Sequence, residues 1–194
     1  MLKMLGKNKS AMIILHEIYG INDFIRDTCA GYHAKGFDIY CPDMLSKNRF
    51  AYHEMERAYA FFNSEVGFDY YSQIEALLEA LRPAYDKLYV MGFSVGATLA
   101  WRCCTSKLCD GIICCYGSRI RDYMNLSPTC SVLLLFALED SFSVNEVATS
   151  LQKKAKTKLC VFQAKHGFLD SYSQHYNEEQ MRAAKEQINI FLGA

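Results

Sequence analysis

The chain has 194 residues, of which 51% are hydrophobic and 22% are charged, a composition typical of one globular domain with a substantial core. Lysine plus arginine and aspartate plus glutamate each number 21, so no basic surface is expected to attract nucleic acid or an anionic membrane. We therefore expect a single domain over residues 1–194, with neither nucleic acid nor membrane as a partner.

The chain contains nine cysteines, several of them within apolar runs, such as Cys114, Cys115 and Cys160. It has no Cys-x-x-Cys pair and no zinc-type spacing of cysteine and histidine, which disfavours a metal or redox cluster. No signal-peptide pattern precedes the first apolar run, and the longest apolar stretches are too short to span a bilayer. We expect buried free thiols in a cytoplasmic protein that needs no metal or organic cofactor.

Apolar runs typical of strands alternate along the chain with segments that have apolar residues at helical spacing. The strands are predicted at residues 10–16, 37–41, 87–93, 111–116, 131–137 and 158–164. The helices are predicted at residues 22–35, 52–63, 70–81, 95–106, 143–154 and 173–192. The strands are hydrophobic throughout, as in parallel sheets that are buried on both faces. This pattern predicts an α/β fold: a doubly wound, mostly parallel sheet with helices on both faces and no lid domain.

The third predicted strand leads into a Gly-x-Ser-x-Gly turn, and a helix follows the turn. The turn comprises Gly92, Phe93, Ser94, Val95 and Gly96. A strand, this turn and a helix together hold a serine hydroxyl on a sharp bend where a base can reach it. The alternative is a serine that only caps the helix, because serine is a favoured N-cap residue.

An acid and a histidine follow the turn, each at the end of a later strand. Asp140 comes after the fifth predicted strand and His166 after the sixth. Serine, acid and histidine in this chain order are typical of α/β-hydrolases. We predict Ser94 as nucleophile, His166 as general base and then acid, and Asp140 as the group that orients the imidazole. Glu139 competes with Asp140 for the acid role.

The other four histidines are weaker candidates for the base. Three of them fall within predicted helices, and His16 follows the wrong strand for this order. The three are His33, His53 and His175.

Several segments resemble the dienelactone hydrolase family of small α/β-hydrolases, and the resemblance covers nearly the whole chain. The segments are residues 16–20, Asn22, 25–27, 40–43, 92–97 and 115–117, the Asp140 segment and 166–168. The Glu-x-x-Gly element from Glu17 to Gly20 is the more specific part, because other esterases commonly carry a His-Gly-Gly type of loop there. The resemblance implies an oxyanion hole formed by the backbone N–H groups of Ile18 and Val95.

The nucleophile position departs from the family pattern. Members that open dienelactones use a cysteine, which interacts with the glutamate that matches Glu17. Because an alcohol forms no anion at modest cost, we expect His166 to remove the Ser94 proton during attack. Glu17 would then hydrogen-bond Ser94 or brace its own loop through Arg26, or it would only pair locally with that arginine.

A second departure concerns the charge of the substrate. Members that bind dienelactones place an arginine shortly after the histidine, where it meets the substrate carboxylate, whereas this chain has Asp170 in that neighbourhood. Anionic dienelactones are therefore not the expected substrates, unless an arginine from another loop substitutes. The candidates for that substitution are Arg49, Arg57, Arg119 and Arg121.

The sequence as a whole favours a serine hydrolase that cleaves small carboxylic esters or lactones through an acyl-enzyme. An open site is expected, with aromatic candidates to line it if they are not core residues. These are Tyr19, Phe50, Tyr52 and Phe168. The alternative is an α/β-hydrolase scaffold that binds or senses a small molecule without turnover, because a fold alone does not determine function.

Overall fold

Seven strands form one sheet in the computed structural model, which describes residues 1–193. The strands are β1 Leu2–Met4, β2 Ser10–Leu15, β3 Phe37–Cys41, β4 Lys87–Phe93, β5 Gly111–Cys115, β6 Ser131–Glu139 and β7 Thr157–Lys165. Their order across the sheet is β1-β3-β2-β4-β5-β6-β7. β1 runs antiparallel to β3, and every other pair of neighbours is parallel.

Helices cover both faces of this sheet. They are α1 Asp23–Ala34, α2 Met55–Phe61, α3 Tyr71–Leu81, α4 Val95–Arg102, α5 Val144–Leu151 and α6 Glu178–Leu192. α1 and α6 pack on one face through buried residues such as Ile25 and Ile188. The other four helices pack on the opposite face, with Leu78 and Leu99 among the buried residues. The prediction of a doubly wound α/β sheet is therefore confirmed.

The strands are apolar throughout because both of their faces are covered. In β2, Ala11 and Ile13 belong to one buried cluster, whereas Met12 and Ile14 belong to the cluster on the other face. The strand order changes direction between β2 and β4, which are neighbours at the centre of the sheet. In open α/β sheets a crevice forms at the carboxyl ends of the strands at such a switch point, and ligands bind there.

Some elements differ from the sequence prediction. β1 was not predicted, since it has only three residues and its middle one is exposed. The predicted helix at 52–63 is a 3₁₀ turn at Tyr52–Glu54, then α2, then a π-helical turn at Phe62–Val66. The last helix begins at Glu178, where the Asn177 side chain accepts a hydrogen bond from the N–H of Gln180. Within residues 1–193, no helix is both long enough and apolar enough to cross a membrane.

Candidate active site

Ser94 lies on the bend between β4 and α4 with φ 53° and ψ −114°. Its N–H donates to the Cys115 carbonyl at 2.9 Å, which ties the bend to β5. A Cβ at position 92 would overlap the backbone carbonyl of Gly96, and one at position 96 would overlap the carbonyl of Leu15. The Ser94 side chain makes no capping hydrogen bond to α4. The hydroxyl is therefore not used as a helix cap.

His166 lies between Ser94 and Asp140 and contacts both. Its Nδ1 is 2.7 Å from Asp140 Oδ2, and its Nε2 is 2.9 Å from Ser94 Oγ. An ionised carboxylate only accepts hydrogen bonds, so Nδ1 carries the proton that is donated to Asp140. In the neutral imidazole, Nε2 is then free to accept from the Ser94 hydroxyl.

The strands β6 and β7 bring the acid and the histidine together. Asp140 follows the last residue of β6, His166 follows the last residue of β7, and the His166 N–H donates to the Glu139 carbonyl at 3.2 Å. The Asp140 side chain is 3% exposed and accepts from the N–H and hydroxyl of Ser141. The Glu139 side chain is not among the groups that bond His166, and Glu139 is exposed.

The pKa values of this pair move in opposite directions. Burial acts to lower the pKa of His166, but the hydrogen bond and charge of Asp140, with a further contribution from Glu17, raise it above its usual value. Burial acts to raise the pKa of Asp140, but the hydrogen bond and charge of His166 bring it below the usual range. Asp140 therefore stays ionised and stabilises the imidazolium.

The loop after β2 lies beside Ser94, because the carbonyls of Leu15 and His16 contact Gly96. Within residues 1–193, the N–H groups of Ile18 and Val95 donate no hydrogen bond. Both predicted oxyanion donors are thus on segments next to Ser94 and free of other acceptors.

His16 holds this loop in place and is not part of the chain of bonds to Ser94. Its Nε2 accepts from the Met44 N–H at 3.0 Å, and its Nδ1 donates to the Glu17 carbonyl at 2.7 Å. Burial lowers the pKa of His16 to about 4. The neutral ring therefore connects the segment after β2 to the segment after β3.

Glu17 is buried, with 5% of its surface exposed. Arg26 is exposed on α1, and the two side chains form no ion pair or hydrogen bond in the described part of the chain. Within residues 1–193, neither Glu17 Oε1 nor the Tyr116 hydroxyl makes a hydrogen bond of ordinary geometry, but the two side chains lie close enough to interact with each other. Burial raises the pKa of Glu17 to about 7, while the charge of His166 acts to lower it. The predicted brace through Arg26 is absent.

Two residues that the sequence did not single out support the His166 ring and backbone. The Tyr116 ring is fully buried, and its centroid is 5.0 Å from that of His166. His175 Nδ1 donates to the His166 carbonyl at 2.9 Å. His175 lies in a turn before α6 rather than in the helix predicted for it. The position of Tyr116 at the end of β5 was the signal that could have identified it.

The aromatic candidates divide between the site and the core. Tyr19 and Tyr52 lie edge to face with ring centroids 4.8 Å apart, and Tyr52 is 37% exposed. Phe50 packs against Phe61, with ring centroids 5.5 Å apart. Phe168 is fully buried beneath Tyr116 and so belongs to the core.

Comparisons with known proteins identify the family to which this chain belongs. The sequence model of the dienelactone hydrolase family matches residues 3–194. "Uncharacterized protein YczH" of Bacillus subtilis (strain 168) is 34% identical over 175 residues, which cover 87% of this chain and 85% of that protein. "Carboxymethylenebutenolidase 1" of Cupriavidus pinatubonensis is 25% identical over 183 residues, or 86% of this chain and 78% of that protein.

A solved structure shows the same fold. The dienelactone hydrolase-like promiscuous phosphotriesterase P91 from metagenomic libraries superposes with a TM-score of 0.75 at 18% identity. The match covers 96% of this chain and 87% of the other. Because the family model spans nearly all of the sequence and the fold agrees, this chain is a hydrolase that belongs to the dienelactone hydrolase family.

Proposed function

We propose that the protein is a serine hydrolase that cleaves small carboxylic esters or lactones through an acyl-enzyme. The observation that carries the proposal is the unbroken chain of hydrogen bonds from Asp140 through His166 to Ser94. A serine hydroxyl is a weak nucleophile until a base takes its proton, and the base needs a third group to orient it. The three residues have the types and contacts that these roles require.

The reaction then proceeds in two halves. As Ser94 Oγ attacks the ester carbonyl, His166 Nε2 takes the hydroxyl proton, and the N–H groups of Ile18 and Val95 stabilise the charge on the carbonyl oxygen. His166 gives this proton to the departing alcohol oxygen. Water attacks the acyl-Ser94 ester, with His166 again taking and returning a proton, and the carboxylic acid leaves. In a lactone the alcohol and acid products are the two ends of one molecule.

The names of the similar proteins are compatible with this chemistry. One similar protein is named a carboxymethylenebutenolidase, and the protein of the similar solved structure is named a promiscuous phosphotriesterase. All nine cysteines are unpaired, and none occupies the nucleophile turn. These free thiols support the proposal of a cytoplasmic location, since disulfides are rare in reducing compartments.

Labelling with a fluorophosphonate probe tests the nucleophile. We expect the folded protein to be labelled on Ser94, and Ser94→Ala to take no label, because the probe phosphorus bonds to an activated serine oxygen. Ser150→Ala is a matched control: Ser150 is exposed on α5 and bonds only to Glu146 within its helix. This control is expected to label as fully as the unchanged protein.

The same experiment separates the proposal from a non-catalytic binding module. Mass spectrometry of the digested protein locates the label, and thermal unfolding confirms that each variant is folded. Labelling at Ser94 together with hydrolysis in a panel of esters and lactones supports the hydrolase. A folded protein that takes no label and hydrolyses none of the panel contradicts it and favours the binding module.

A further inference from the structure

Two buried carboxyl groups other than Asp140 belong to the surroundings of His166. Glu17 follows β2 and is 5% exposed, and Asp170 follows His166 by four residues and is 1% exposed. Each lies within electrostatic range of the other, and the His166 charge acts on the Glu17 carboxyl. The Asp170 N–H donates to the Gly167 carbonyl at 3.0 Å, which holds this carboxyl on the histidine loop.

Neither carboxyl pairs with a cation within the described residues. Asp170 Oδ2 accepts from the Tyr52 hydroxyl at 2.5 Å, and Oδ1 accepts from the Tyr172 N–H at 2.8 Å. Tyr52 Oη also accepts from Asn22 Nδ2 at 3.1 Å, so the loops after β2, β3 and β7 are connected. Glu17 Oε1 makes no hydrogen bond of ordinary geometry among residues 1–193, and its near neighbour is the neutral Tyr116 hydroxyl. A buried polar atom without a partner is costly and marks a site that another group can satisfy.

The arginines that could have offset these carboxyls are engaged elsewhere. Arg49 forms two hydrogen bonds with Asp43, at 3.1 and 3.0 Å. The remaining three contact local acids or rings: Arg57 bonds Glu54, Arg119 bonds Asp122, and Arg121 lies over the ring of Phe142. In the part of the chain that the structure describes, none of the four pairs with Glu17 or Asp170. The contacts of these arginines therefore give no support to a substitute arginine at this place.

Aromatic rings complete this side of the site. The partly exposed Tyr52 ring stands against Tyr19, and its hydroxyl bonds Asp170. Tyrosine faces attract cations and accept apolar groups, whereas two buried carboxyls repel an anion through a low local dielectric. The side chains here are complementary to a neutral or positive group.

We propose that Glu17 and Asp170 make this site select esters whose group beside the scissile bond is uncharged or cationic, and reject esters that carry a carboxylate there. The inference rests on the proposed function and narrows its substrate class. Asp170 is a specificity-determining residue of this site. It acts through its charge and through Tyr52, which it fixes.

Three esters whose acyl chains have the same length but different end groups test the proposal. They are 4-nitrophenyl esters whose acyl chains end in tert-butyl, trimethylammonium or carboxylate. At pH 8 we expect kcat/KM for the carboxylate ester to be at least about tenfold below that for the tert-butyl ester. The trimethylammonium ester is expected to match or exceed the tert-butyl ester, since the two groups have the same shape and differ in charge.

Asp170→Asn tests the assignment to this residue. The amide keeps an acceptor for the Tyr172 N–H and a polar atom for the Tyr52 hydroxyl but removes the charge. We expect the ratio of kcat/KM for the tert-butyl ester to kcat/KM for the carboxylate ester to fall several-fold. Asp86→Asn is the control, because Asp86 is exposed and pairs only with Lys9. It is expected to leave the discrimination unchanged.

The readouts keep this inference separate from the proposed function. Fluorophosphonate labelling is done on the same preparation, and if the esters are not turned over, labelling rates of three phosphonates with the same end groups replace kcat/KM. Labelling of Ser94 without discrimination, or discrimination that Asp170→Asn leaves unchanged, overturns this inference alone. A folded protein with no labelling overturns both.

Discussion

Ser94 and Tyr116 each follow a strand end with a positive φ, of 53° and 44°. Residues other than glycine rarely adopt a positive φ, because this backbone conformation costs on the order of 1–3 kcal/mol per residue. Both residues lie at the carboxyl ends of neighbouring strands, and both contact His166. Two of the six non-glycine residues with a positive φ among residues 1–193 thus contact the same imidazole. Such strain persists at functional sites because favourable contacts in the surrounding structure compensate for its free-energy cost.

The oxygen that accepts from His166 Nδ1 determines which tautomer faces Ser94. In Asp140→Asn, the amide can donate to Nδ1 and favour the tautomer that has its proton on Nε2, facing the serine. We expect kcat to fall by about 10³- to 10⁴-fold with little loss of stability. Steady-state hydrolysis measures the change, and thermal unfolding confirms the fold.

Glu139→Gln is the control for this prediction. Glu139 is the neighbouring acid, it is exposed, and only its carbonyl contacts His166. We expect its activity to stay within about threefold of the unchanged protein, since an exposed charge is screened by solvent. Equal losses in the two variants would contradict the assignment of Asp140.

The order of residues along the chain predicts that Ser94, Asp140 and His166 lie together. It does not predict which other side chains contact them. Strand ends on one edge of a parallel sheet bring distant residues together, and this depends only on the order of elements. The direction of Glu17, by contrast, depends on a turn held by His16 and Met44. Sequence spacing suggested Arg26 as its partner, yet the helix α1 turns that side chain into solvent.

At the scale of elements, the packing of β2 against α4 sets the distance between the oxyanion loop and the nucleophile. In Gly96→Ala the new methyl group meets the backbone carbonyls of Leu15 and His16, which cannot rotate away. We expect the free energy of unfolding to fall by about 1–3 kcal/mol, as in overpacked cores. Activity is expected to fall as well, because the loop that carries Ile18 must shift. Urea unfolding and ester hydrolysis measure the two effects.

A second glycine in a helix provides the matched control. Gly31 lies within α1, and a Cβ there would meet no atom within 4 Å. We expect Gly31→Ala to raise the free energy of unfolding by about 1 kcal/mol, because alanine is the better helix former. If Gly96→Ala were equally harmless, the close approach of β2 and α4 would not be needed.

The long apolar elements were predictable, and the short ones were not. A buried parallel strand such as β5 is a continuous hydrophobic run, which stands out in any sequence. β1 has three residues and forms only because β3 offers a free edge at that register. The sequence predicts that the last helix begins at residue 173, because the polar residues before Asn177 fit a helix equally well. The helix begins at Glu178. The capping hydrogen bond of Asn177 decides the boundary.

At the scale of the whole molecule, two adjacent buried groups give stability opposite dependences on pH. The pKa of His16 falls from 6.5 to about 4 on burial, so between these values the unfolded chain binds a proton there and the folded chain does not. The pKa of Glu17 rises from 4.5 to about 7 on burial, so between these values the folded chain binds a proton and the unfolded chain does not. As the pH rises through this window, stability therefore increases through His16 and decreases through Glu17.

Each of these shifts corresponds to about 3 kcal/mol, so the two effects nearly cancel in the unchanged protein between about pH 4.5 and 6.5. In Glu17→Gln the opposing effect is removed. We expect its free energy of unfolding to rise with pH across this window by about 3 kcal/mol more than that of the unchanged protein. Urea unfolding at several pH values and constant ionic strength measures both slopes.

The difference between the two slopes isolates Glu17. Other groups that titrate in this range contribute to both chains and cancel in the comparison. The groups that face Glu17 are His166, Asp170 and Tyr116, and those that face His16 are Asp43 and Arg49. His166 and Asp170 both act on the Glu17 charge, and combining Asp170→Asn with Glu17→Gln measures the contribution of Asp170. Parallel slopes in the unchanged protein and in Glu17→Gln would show that Glu17 titrates normally in the folded state, and the buried orphan carboxyl beside His166 would then have to be in contact with water.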